Sequence, residues 1–153
     1  MGEEYEVIAP KMPNKLNAKY LEWKIWFEKF IPHFELEVIL VGHSLGGTFL
    51  VKYLSENKLP KKIRGVFLVA ACYNTQDSDY SMADFILPKN LEGIYLQAGK
   101  IFIYHSKDDE VVPFADFEKY KKELPKAVAR EFTDRGHFNQ EEFPELFEDI
   151  RDC

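Results

Sequence analysis

The stretch "EVILVGHSLGGTFLVKYLSEN", residues 37–57, constrains the fold of this chain more than any other. Val38, Ile39, Leu40 and Val41 are four consecutive apolar residues, three of them β-branched. Such a run reads as a strand buried on both faces. It stops at Gly42, and Ser44 follows between Gly42 and Gly46. The next residues carry helical spacing, with Leu45, Phe49 and Tyr53 on one face and Val51 and Leu54 beside them. A buried strand therefore passes into a helix through a tight turn that holds a lone hydroxyl.

The same alternation of strand and helix continues along the chain. "YEVIAPKMP" (residues 5–13) reads as a short strand closed by Pro10 and Pro13. Asn17 can cap a helix through about Phe30, whose core face is either Leu21, Ile25 and Glu28 or Tyr20, Trp23 and Phe27. "VFLVAA" and "IFIYHS" are further buried strands, and "AVAREFT" is the last. Residues 114–124 form an amphipathic helix, and "EEFPELFEDI" starts the final one. "NTQDSDYS" is polar and loop-like, and "NLEGIYLQAG" reads as a short helix ended by Gly99. Uninterrupted apolar strands alternating with helices predict an α/β fold: a mostly parallel sheet with helices on both faces.

The 153 residues suit one domain, 1–153, and 46% hydrophobic residues are enough for a core. The net charge of −6 offers no electrostatic attraction to nucleic acid or to an anionic membrane. Two cysteines, Cys72 and Cys153, make neither a disulfide framework nor a zinc motif. The N-terminus has no signal-peptide pattern, and no window is apolar enough to span a membrane. A cytoplasmic protein without metal or cofactor is the expectation.

Gly-x-Ser-x-Gly between a strand and a helix is a nucleophile elbow. The serine is held in a strained conformation, and the flanking glycines are expected where a Cβ would clash. The first N–H of the following helix, that of Leu45, suits a developing oxyanion. A serine needs a base, and the base needs an orienting acid, in the chain order Ser, Asp or Glu, His. "IFIYHSKDDEVVP" places Asp108 and Asp109 just past a strand end, and "EFTDRGHFN" does the same for His137. Both positions belong to the loops where active sites of open α/β sheets gather. Asp109 is preferred over its rival Asp108, because "DEVVP" lets Val112 and Pro113 shape the turn into the next helix. His105 lies before the acid and at a strand end, which makes it a poor base. His43 reads as a structural residue pointing away from the site, and Cys72 as a small buried hydrophobe. Trp23 and Trp26 pack in the core or line the cleft.

The motifs "VILVGHSLGG", "SKDDEVVPF" and "DRGHFN", with "VIAPKMPN" and "EWKIWFEKF", resemble the small serine hydrolases of the retinoblastoma-binding type. The resemblance spans nearly the whole chain. It implies a minimal α/β-hydrolase, a three-layer sandwich without a cap domain. It implies a triad of Ser44, Asp109 and His137 that cleaves an acyl ester, amide or small peptide through an acyl-enzyme. It also implies a strand, a glycine-containing loop and a helix, roughly 30 residues, ahead of the part represented here. That loop supplies a second oxyanion donor in the family. Without the unit, the sheet is expected to have a gap beside residues 38–41, with edges open to a homodimer contact. The alternative is a catalytically impaired interaction protein on the same fold, and an acyltransferase on the same triad is the third reading.

Overall fold

The computed structural model describes residues 5–77, 82 and 84–153. The leader reading of residues 1–4, and residues 78–81 of the polar loop, lie outside the described residues. Among the described residues, four parallel strands form one sheet in the order β1 (Glu37–His43), β2 (Lys62–Val69), β3 (Ala98–Ser106), β4 (Val128–Phe132). The helices are α1 (Tyr20–Glu28), α2 (Leu45–Glu56), α3 (Phe114–Glu123) and α4 (Pro144–Arg151). Every strand-to-strand connection carries helical turns, which parallel pairing demands.

Alternation along the central strands builds two cores. Val66 and Leu68 of β2, with Ile101 and Ile103 of β3, pack with residues of α1, α2 and α3. Phe67 and Val69, with Phe102 and Tyr104, face the other way onto Ile150 of α4. The sheet is thus covered on both faces, as expected. On the first face, Phe27 meets Phe49 and Tyr53 at ring-centroid distances of 5.4 and 5.0 Å. This settles the facing of α1: Trp23 and Phe27 are buried, whereas Leu21 and Ile25 are 61% and 51% exposed. Trp23 belongs to the core and Trp26 is exposed.

Three expectations change. Residues 5–9 form no strand: among the described residues no strand pairs with the segment to complete a ladder. The short helix of residues 90–99 is a 3-10 turn at Glu92–Leu96, and Gly99 lies inside β3. A Cβ there would sit 2.6 Å from the Arg64 carbonyl oxygen, so this glycine serves close strand approach. Helix α1 starts at Tyr20, because residues 14–17 form a turn closed by Asn17 N–H on the Asn14 carbonyl at 2.9 Å.

The second core holds a polar network. Arg130 grips both oxygens of Asp149, at 2.6 and 3.1 Å, and the Tyr104 hydroxyl donates to the same carboxylate at 2.7 Å. Burial pushes the Asp149 carboxyl up, but the bonds from Arg130 and Tyr104 outweigh it and the net shift is downward. A depressed folded-state pKa contributes stability above the unfolded value of about 3.9 and loses it as pH falls through the folded value. Arg130 is half exposed, so screening weakens its share. Asp149→Ala is expected to lower unfolding stability at pH 7 by about 1–2 kcal/mol. The difference from the parent should shrink below about pH 4, as urea titrations at several pH values would read.

Candidate active site

Because the four strands are parallel, the loops that follow them emerge on one edge of the sheet. Ser44 follows β1, Asp109 follows β3 and His137 follows β4. Topology alone therefore brings the three residues to the same end of the fold.

Ser44 sits at φ 53°, ψ −124°, a sparsely populated conformation for a residue with a side chain. Its N–H donates to the Val69 carbonyl at 2.8 Å, and its own carbonyl accepts the first turn of α2 from Gly47 N–H at 2.9 Å. The turn is thus clamped from the sheet and from the helix. Leu45 is the first residue of α2, where a backbone N–H has no carbonyl four residues back to bond.

The glycines divide differently from expectation. A Cβ on Gly42 would lie 2.6 Å from the Gly46 carbonyl oxygen and 2.7 Å from the Gly47 Cα. One on Gly47 would lie 2.6 Å from the Ala71 Cβ. A Cβ on Gly46 would meet nothing within 4 Å. The crowding is between Gly42 and the backbone of the first helical turn, and Gly46 contributes main chain to it while its Cβ direction opens outward. Gly47, outside the Gly-x-Ser-x-Gly motif, is as crowded as Gly42. Its signal in the sequence is a second glycine in a helix start, which costs helix propensity and so needs a packing reason.

His137 Nδ1 lies 2.8 Å from Asp109 Oδ2. The other oxygen, Oδ1, accepts the N–H groups of Val111 and Val112 at 2.8 and 2.9 Å. Burial pushes the Asp109 carboxyl up, but His137 and these two backbone donors outweigh it and hold it below its ordinary value. Both backbone donors come from the segment that leads into α3. Asp108 is exposed and does different work. It accepts the Ser106 hydroxyl and, at 2.9 Å, the Gly136 N–H, while Ser106 Oγ takes the Arg135 N–H at 3.1 Å. Those bonds staple the histidine loop to the end of β3, and they lower the Asp108 carboxyl.

His105 is buried behind Asp109, with Nε2 donating to the Val112 carbonyl at 3.0 Å and standing 3.7 Å from Asp109 Oδ2. Burial lowers its pKa, so it is a neutral support for the acid turn. Cys72 is buried, and burial pushes its thiol up. Its carbonyl accepts the hydroxyls of Thr48 and Tyr120, each at 2.7 Å. His43 does not point away from the site. Its Nε2 donates to the His137 carbonyl at 2.7 Å, and the two rings are 4.6 Å apart. Among the described residues, no group of three His, Cys, Asp or Glu side chains is arranged to hold a metal.

An apolar cleft of about 620 Å³ runs along the outer edge of β1, facing residues 5–10, and reaches Gly42, His43 and Gly46.

An α/β sheet with a strained serine between β1 and α2 defines a hydrolase of the α/β-hydrolase fold. The sequence model of the serine hydrolase family matches residues 7–151, and the chain belongs to that family. It is 26% identical over 149 residues to serine hydrolase RBBP9 of Rattus norvegicus, covering 96% of this chain and 77% of that one. The structure of the ydeN gene product of B. subtilis aligns with a TM-score of 0.81 at 22% identity, over 94% of this chain and 79% of the other. A carboxylesterase structure from Nitrososphaera gargenis aligns at 0.65 and 13% identity, over 92% and 73%. Likeness at these last two identities concerns the fold. No helix among the described residues is long and apolar enough to cross a membrane.

Proposed function

We propose that the chain, as a single domain of residues 1–153, hydrolyses an acyl ester, amide or small peptide through Ser44, His137 and Asp109. Ser44 Oγ attacks the acyl carbonyl carbon while His137 Nε2 takes its proton. The oxyanion is held by the Leu45 N–H. Collapse breaks the bond to the leaving alcohol or amine, which receives the proton from His137. Water then cleaves the acyl-enzyme by the same proton route. Asp109 keeps the imidazole in the tautomer with Nδ1 protonated and stabilises its cation. The observation that carries this reading is the 2.8 Å bond from His137 to a carboxylate whose other oxygen is fixed by two backbone donors. The substrate is a small acyl compound or peptide, and the two free cysteines suit a reducing cytoplasm.

A fluorophosphonate probe is the direct test. The folded chain should be labelled at Ser44, and Ser44→Ala should abolish labelling. Equal labelling of the two proteins would overturn the assignment.

A second reading concerns assembly. Among the described residues β1 pairs on one side only, and Val41 on it is 47% exposed. We propose that this edge supports a homodimer, because open strand edges template pairing. A single monomer mass by light scattering across a wide concentration range would reject it.

A further inference from the structure

We propose that His43 is a positioning residue for His137: it holds the histidine loop against the nucleophile elbow from the position next to Ser44. The inference rests on the triad reading above and extends it to a residue outside the triad.

Two contacts point this way. His43 Nε2 donates to the main-chain carbonyl of His137 at 2.7 Å, and the rings lie 4.6 Å apart at an interplanar angle of 53°. In the β1–β2 ladder His43 is paired through its backbone with Val69, and its residue stays exposed to solvent. A bond of 2.7 Å from this side chain to a residue 94 positions away is a specific tie rather than core filling.

The bond has a mechanical consequence. Ser44 belongs to the β1–α2 turn and His137 to the loop after β4, at opposite ends of the strand order. Asp109 and Asp108 fix the histidine loop to the β3 end. His43 makes the corresponding link to the β1 end. It therefore sets the spacing between nucleophile and base, the distance on which proton transfer depends. A misplacement of about 1 Å costs on the order of 10²-fold in rate.

The test uses two variants of the full chain. His43→Phe keeps an aromatic ring and removes the donor. His43→Gln places an amide N–H near the position of Nε2. With p-nitrophenyl acetate, His43→Phe should lower kcat by on the order of 10²-fold with KM changed by less than about twofold. His43→Gln should recover most of the loss, with Tm equal in both variants. The Nδ1–H resonance of His137, seen by proton NMR, should broaden or vanish in His43→Phe and persist in His43→Gln. This readout needs no turnover, so it judges His43 even if the chain fails to hydrolyse the ester. Parent-like behaviour of both variants, or equal impairment of both, overturns the proposal. Turnover that survives in Ser44→Ala would instead overturn the hydrolase reading and leave the resonance to decide on His43.

Discussion

Asp109→Asn is expected to lower kcat by about 10⁴-fold with the fold intact. The size follows from the way the carboxylate is held. Oδ1 faces two backbone donors, Val111 and Val112, and Oδ2 faces His137 Nδ1. An asparagine must keep its oxygen toward the two N–H groups, since its own amide cannot accept from them. Its NH₂ is then forced onto Nδ1, which becomes an acceptor and leaves the ring proton on Nε2. The base arrives already protonated on the atom that must take the serine proton. Asp108→Asn has no such conflict: one oxygen can still accept from Ser106 and Gly136. It should retain activity within about tenfold, a surface loop bond being worth about 1 kcal/mol. Steady-state hydrolysis of p-nitrophenyl acetate by the two variants, with circular dichroism as the folding control, separates these outcomes. Equal losses would remove Asp109 from the triad.

Gly42→Ala should unfold the elbow, whereas Gly46→Ala should be tolerated. The new methyl at 42 would stand 2.6–2.7 Å from three backbone atoms of the first turn of α2. No side chain can swing away, so the helix or the strand must move as a whole. Overpacking of this kind costs about 3 kcal/mol, which in a chain of this size lowers Tm by about 6–12 °C. A methyl at 46 enters open space in a helical residue. Alanine is favoured there by up to about 1 kcal/mol over glycine, so Tm should hold or rise. Thermal melts of the two variants check this. A matching fall in both would mean that the outer glycine also guards the turn.

The contrast shows what was legible in the residues and what was not. Ser44, Asp109 and His137 stand out because strand ends can be read from apolar runs, and parallel strands put those ends together. The order of the loops then needs no coordinates. Facing within α1 is ambiguous in the sequence because both of its stripes carry large apolar residues, and only packing against Phe49 and Tyr53 decides between them. Residues 5–9 have strand composition, but a strand exists only with a neighbour, which local pattern cannot supply. His43, Asp108 and Ser106 act through bonds to main chain from distant segments. Such contacts leave no periodic trace, so side-chain type alone misread His43. The two glycines of the motif look equivalent as letters, yet the direction of the missing Cβ makes one indispensable and the other open.

Ser44 directly follows β1, the strand with ladder support on one side only among the described residues. Its residues should exchange amide hydrogens sooner than those of β2 and β3, which are bonded on both sides. The turn itself is fastened elsewhere, by the Ser44 N–H on β2 and by the helix backbone pressed onto Gly42. Fraying of the outer edge and opening of the elbow are thereby separate events. The outer margin of the sheet can breathe while the serine keeps its place.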